Sequence, residues 1–97
     1  GPWKMDRFVP RERLELVKND AYWNPARRPK VDKLVLLPMP EANARTAALL
    51  SGQVDWIENP SPDALPQIKQ RGFVIHANEQ PHVWPWQLSF VEGSPWL

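Results

Sequence analysis

The chain has no cysteine, which excludes a disulfide framework, a thiolate nucleophile and a zinc–thiolate site. It has only four glycines, and none of them builds a glycine-rich phosphate loop. No apolar run approaches membrane-spanning length. The two histidines, His76 and His82, lack the spacing that puts paired metal ligands on one helix turn or strand face. No serine-centred elbow precedes a helical pattern. A surplus of one charge sign is missing too. The formal net charge is +1, which makes no case for nucleic acid or an anionic membrane as partner. These absences leave no constellation for catalysis, metal or cofactor, and the expectation is a protein that is not an enzyme and carries no cofactor.

Among the residues present, twelve prolines in 97 residues argue against long helices and for short strands and loops. Charge is unevenly placed: residues 1–33 hold nine Lys/Arg against five Asp/Glu, and residues 34–97 hold three against six. The densest basic cluster, "RRPK" at residues 27–30, has the composition of a solvated loop.

Periodicity predicts a mixed α/β chain. "WKMDRFV" and "RLELVKN" form a hairpin, with Leu14 and Leu16 alternating with charge as in a half-buried strand. "NDAYWNPARRPK" is loop by its turn chemistry, with Tyr22 and Trp23 folding back onto the body. "DKLVLLPMP", a continuous apolar run bounded by proline, predicts a strand buried on both faces. Pro40 and Glu41 open a helix over residues 41–51, the longest in the chain, with Ala42, Thr46, Leu49 and Leu50 on one face and Gly52 at its stop. "VDWI" predicts a strand and "ENPSPD" a turn. Asp63 is placed to cap a second helix with Pro66 in its first turn, Leu65 and Ile68 inward, and a stop at Gly72. "FVIHA" and "WPWQLSF" predict two more strands. In the last, Trp84, Trp86, Leu88 and Phe90 share one face. Pro85 marks an edge, so that the two tryptophans are partly exposed and Leu88 and Phe90 buried. The sheet centres on residues 34–37 and the strand from Val54.

The ordered set of motifs resembles the extracytoplasmic solute-binding proteins of ABC importers, in the group that binds peptides, dipeptides and nickel complexes. The elements are the Gly-Pro-aromatic-Lys start at residues 1–4, Asn-x-x-Tyr-Trp at residues 19–23 and Pro-x-x-Asp at residues 29–32. They continue with Ala-Arg-x-x-Ala-Leu-x-x-Gly at residues 44–52 and Val-Asp at residues 54 and 55. The match covers nearly the whole chain. It departs from the family pattern at Val91, where asparagine is usual, and at Pro66 inside the second helix.

The resemblance implies a partial lobe of a periplasmic-binding-protein-like type II fold, with residues 1–97 a single fragment ending near the interlobe hinge. It implies capture of an oligopeptide, dipeptide or related small solute in an interlobe cleft and delivery to the membrane permease. The location would be periplasmic and the protein a monomer, without membrane insertion of this fragment. The loop after residues 54–57 and the aromatic segment near the hinge would then face the ligand. This makes Glu58, Asn59, His82, Trp84, Trp86 and Gln87 the candidate ligand-binding residues. Asn59 donates and accepts, as a peptide backbone requires, Glu58 pairs an amine or cation, and the aromatics supply apolar walls. Asn-Pro is equally a common turn dipeptide, and an alternating tryptophan stripe is often core. Trp56 is assigned to packing. The alternative is a free-standing tryptophan-rich module that binds carbohydrate or peptide.

Overall fold

A computed structural model describes residues 1–96; Leu97 lies outside the described residues. Strands β1 (Trp3–Val9) and β2 (Arg13–Lys18) form the expected hairpin, and β3 (Lys33–Leu36) adds to β2. The sheet is antiparallel throughout, in the order β1-β2-β3. Helix α1 (Ala42–Leu50) follows, and helix α2 (Leu65–Gln70) comes after a single 3-10 turn at Pro62–Ala64. The class is mixed α/β, with α1 the longer helix.

The hairpin turn follows from two residues. Glu12 N–H donates to the Val9 carbonyl at 3.0 Å, which puts Pro10 and Arg11 at the turn's centre. Pro10 presets the first φ, and Arg11 sits at φ +65°, the left-handed value a type II turn requires at its second central residue. A side chain is strained there and glycine is not. Arg11→Gly is therefore expected to stabilise the chain by about 0.5–1 kcal/mol in urea unfolding.

The start of the chain is tied down by Asn19. Its backbone N–H donates to the Pro2 carbonyl at 2.9 Å, and its side-chain amide donates to the Gly1 carbonyl at 2.8 Å. Tyr22 is half-buried beside it, whereas Trp23 is exposed rather than folded back, in tilted contact with Tyr22 at 5.7 Å.

Leu14 and Leu16 are half-buried as the alternation predicts, but the most enclosed residue of β2 is Glu15, only 7% exposed. Its carboxylate meets Arg13 Nε at 2.9 Å and, across the β2–β3 pair, Lys33 Nζ at 2.5 Å. The Lys33 hydrogen bond, helped by the charges of Arg13, Lys33 and Arg7, outweighs desolvation and holds the carboxyl below its ordinary value of 4.5. A carboxyl whose pKa is lower folded than unfolded stabilises the fold above the unfolded value. That contribution is lost as pH falls from about 4.5 through the folded pKa. Glu15→Gln is expected to be less stable than the parent at neutral pH and to lose less stability on acidification. Thermal midpoints taken from pH 7 to pH 2.5 test this; parallel curves would contradict it.

Several expected strands do not form. Residues 54–57, 73–77 and 84–90 are irregular, and β3 is a sheet edge with Val35, Leu36 and Leu37 open to solvent rather than a strand buried on both faces. The reason is pairing. In the first two of these segments the backbone bonds are local, Val54 N–H to the Ala48 carbonyl and Phe73 N–H to the Ile68 carbonyl. A strand needs a neighbour for its N–H and C=O groups. Leu88 and Phe90, expected to be buried, are exposed for the same reason. Asp63 is not a helix cap: it lies inside the 3-10 turn, whose N-cap is Ser61. Pro66 occupies the first turn of α2, where its missing N–H costs nothing.

The buried apolar core among the described residues is Ala48 and Leu49 of α1 with Ile68 of α2. Gly52 and Gly72 end the two helices at φ +79° and +89°. Arg71 Nη2 donates to the Leu50 carbonyl at 3.2 Å and joins the end of α2 to the end of α1.

Candidate functional site

The segment after α1 is shaped by Arg45. This residue sits in the first turn of α1, at the positive end of the helix dipole, one turn after the N-cap residue Glu41. Its guanidinium is used elsewhere. Nη1 donates to the carbonyls of Met39 at 2.7 Å and Pro40 at 2.8 Å, Nε to Glu58 at 3.1 Å, and Nη2 to Asn59 at 3.0 Å. One planar cation thus clamps the chain entering α1 to the chain leaving it. The clamp holds Asn59 at φ +48°, immediately before Pro60. Asparagine tolerates the left-handed region better than other side chains, yet a residue preceding proline prefers extended backbone. The loop is therefore strained at the position expected to meet ligand.

Asp55, Trp56, Glu58 and Asn59 line an open groove of ≈ 660 Å³ together with His76, Gln80 and His82. Leu49 and Ile68 reach into it from the core. Three of the expected site residues, Glu58, Asn59 and His82, are brought together here. The other three, Trp84, Trp86 and Gln87, do not line this groove; all three are exposed, Trp84 at 88% and Trp86 at 94%. Trp86→Ala is accordingly expected to change stability by no more than about 0.5 kcal/mol, well below the cost of truncating a packed tryptophan. A loss of several kcal/mol in urea unfolding would contradict this placement.

Trp56 is not packed into the core, as its sequence context suggested. It is 66% exposed and stacks on His76, with ring centroids 5.9 Å apart and planes 16° from parallel. Arg45, Trp56 and His76 are thus parts of the site that sequence reasoning missed. Arg45 carries no signal of this role in the sequence, because a Glu41–Arg45 pair at i, i+4 reads as an ordinary helix-surface pair. His76 and Trp56 are twenty residues apart and carry no sequence signal either. Among the described residues no group of three or more metal-ligating side chains comes together, and no helix is long and apolar enough to cross a membrane.

Comparison with solved structures supplies two likenesses. The ABC transporter-associated periplasmic binding protein DppA from Helicobacter pylori, in complex with peptide STSA, is 28% identical with a TM-score of 0.67, over 72% of this chain and 13% of that one. HbpA2 from Haemophilus parasuis is 24% identical with a TM-score of 0.63, over 74% of this chain and 14% of that one, and speaks for the fold alone. The chain thus spans a small part of the length of either. A comparison with curated proteins gives no match. Residues 1–97 match, end to end, the family described as bacterial extracellular solute-binding proteins, family 5 Middle. The chain belongs to the family 5 bacterial extracellular solute-binding proteins, which act outside the cytoplasm and bind solutes rather than transform them.

Proposed function

We propose that residues 1–97 form part of one lobe of a longer, two-lobed solute-binding protein of an ABC importer. That protein captures peptides or similar small solutes between its lobes and delivers them to the membrane permease. The observation that carries this reading is the likeness to a periplasmic binding protein whose structure holds a peptide, joined to a family match over every residue. The shape of the chain supports the partial-lobe reading. Its radius of gyration is 19.6 Å, against about 13 Å for a compact domain of 100 residues. Three buried apolar residues among those described are also a small core for a domain that stands alone.

Within this reading Glu58, Asn59 and His82 line the groove and contact the solute. Trp84, Trp86 and Gln87 meet it, or the opposite lobe, from the segment near the hinge. Their exposure supports this, because an aromatic wall waits for a second surface. A free-standing tryptophan-rich module is the weaker reading, since residues 84–90 form no strand that would hold the rings in one flat face.

Calorimetry of the complete protein with a peptide mixture tests the proposal. Binding at micromolar Kd or tighter, about −8 kcal/mol or better, is expected. Asn59→Gly separates turn from ligand contact, because glycine adopts φ +48° freely and removes only the amide. The variant is expected to keep the fold and weaken binding by about tenfold, the loss of one well-placed hydrogen-bonding group. Absence of peptide binding would overturn the functional reading, and unchanged affinity in the variant would remove Asn59 from the site.

A further inference from the structure

The groove has a chemical bias that its shape alone does not require. Its ionisable lining, apart from the imidazoles of His76 and His82, consists of the carboxylates of Asp55 and Glu58; no lysine or arginine lines it. Asp55, Trp56 and Glu58 also border the neighbouring depression, whose cations are Arg11, Arg13, Lys33 and Arg45. Of these, Arg13 and Lys33 are paired with Glu15, and Arg45 donates to four backbone carbonyls. Trp56 stands in the same groove, two-thirds exposed, braced by the His76 ring stacked on it. An exposed indole held in place by a stacked ring presents π-surface at low entropic cost. Beside carboxylates, the group that gains from both features is a cation, drawn to the ring quadrupole and to the negative charge together.

We infer that this corner of the groove receives a basic side chain of the solute, an ammonium or guanidinium, so that the protein prefers peptides carrying lysine or arginine. The inference rests on the peptide reading above and adds the class of peptide. It concerns a side-chain cation and not the peptide's own terminal ammonium, which every peptide carries and which would confer no preference. Trp56 supplies the π-face, Glu58 and Asp55 the counter-charge, and His76 positions the indole.

The test uses the complete protein and three sets of tripeptides, in which arginine, glutamine or glutamate is placed in turn at each position of a tri-alanine frame. The tightest arginine peptide is expected to bind about tenfold better than its glutamine counterpart, with the glutamate peptide weaker still. Trp56→Ala and Glu58→Gln are each expected to reduce the arginine-to-glutamine ratio to about threefold or less, while Trp56→Phe keeps part of it. The ratio is taken on one variant at a time, so a loss of folded protein cancels. Equal affinity for the three sets overturns this inference alone and leaves the peptide reading standing, as does a preference that survives both Trp56→Ala and Glu58→Gln. Binding of none of the tripeptides overturns both.

Discussion

Arg45→Ala is expected to destabilise the protein by about 2–4 kcal/mol, measured by urea unfolding of the complete protein. Four carbonyls lose a charged donor at once, and the Met39 contact is partly buried, so water replaces it poorly. The effect reaches the site directly. Without the guanidinium nothing holds the Glu58 and Asn59 carbonyls against the entrance to α1, and Asn59 relaxes from φ +48° toward the extended backbone that Pro60 favours. Arg45→Lys is expected to recover less than half of the loss. A lysine ammonium is a point charge and cannot span acceptors on two segments as a planar fork does. Limited proteolysis gives an independent view, with faster cleavage in residues 53–60 of Arg45→Ala. A change below about 1 kcal/mol, within the range of ordinary surface substitutions, would show that the clamp is incidental.

Ile68→Ala is expected to cost about 2–4 kcal/mol, as for other large-to-small changes in a packed interior. Ile68 is 3% exposed and is the one buried residue of α2. A six-residue helix has too few hydrogen bonds to stand by itself, so α2 depends on docking this side chain. Undocking frees the chain that follows, including the Phe73 N–H bond to the Ile68 carbonyl and the position of His76 beneath Trp56. The substitution is therefore expected to weaken solute binding as well as stability, although Ile68 carries no polar group for the solute. The counterpart change Leu49→Ala should behave alike, and the double variant should lose less than the sum, because both side chains border one groove.

The parts of the fold that were legible in the sequence are those fixed locally. Alternation and a proline turn specify the β1–β2 hairpin, and small residues ended by Gly52 specify α1. Three expected strands fail together for one reason. Apolar alternation over residues 54–57, 73–77 and 84–90 reports a face that suits a sheet, but strand formation also needs a partner backbone, which no local pattern encodes. The enclosure of Glu15 was equally hidden, since it depends on Lys33 arriving on the neighbouring strand. At the site, the loop after α1 is singled out by the family resemblance and not by any local pattern. Glu58 and Asn59 of that loop line one groove with His82, which reaches it through an irregular segment. The aromatic stripe was read as a strand, and its residues Trp84, Trp86 and Gln87 stand apart from the groove. Trp56, expected to pack, has His76 stacked on one side of the ring, a partner no local pattern encodes, and remains 66% exposed.

The central claim is that this chain belongs to a receptor that holds its solute across the groove of Trp56, Glu58 and Asn59. Native mass spectrometry of the complete protein, purified without denaturation, tests it most directly. A retained mass is expected that fragments as a short peptide, enriched in lysine or arginine, and that is lost from the Arg45→Ala protein, whose groove wall is released. A retained solute with no peptide fragments, or a peptide held as firmly by Arg45→Ala as by the parent, would contradict it.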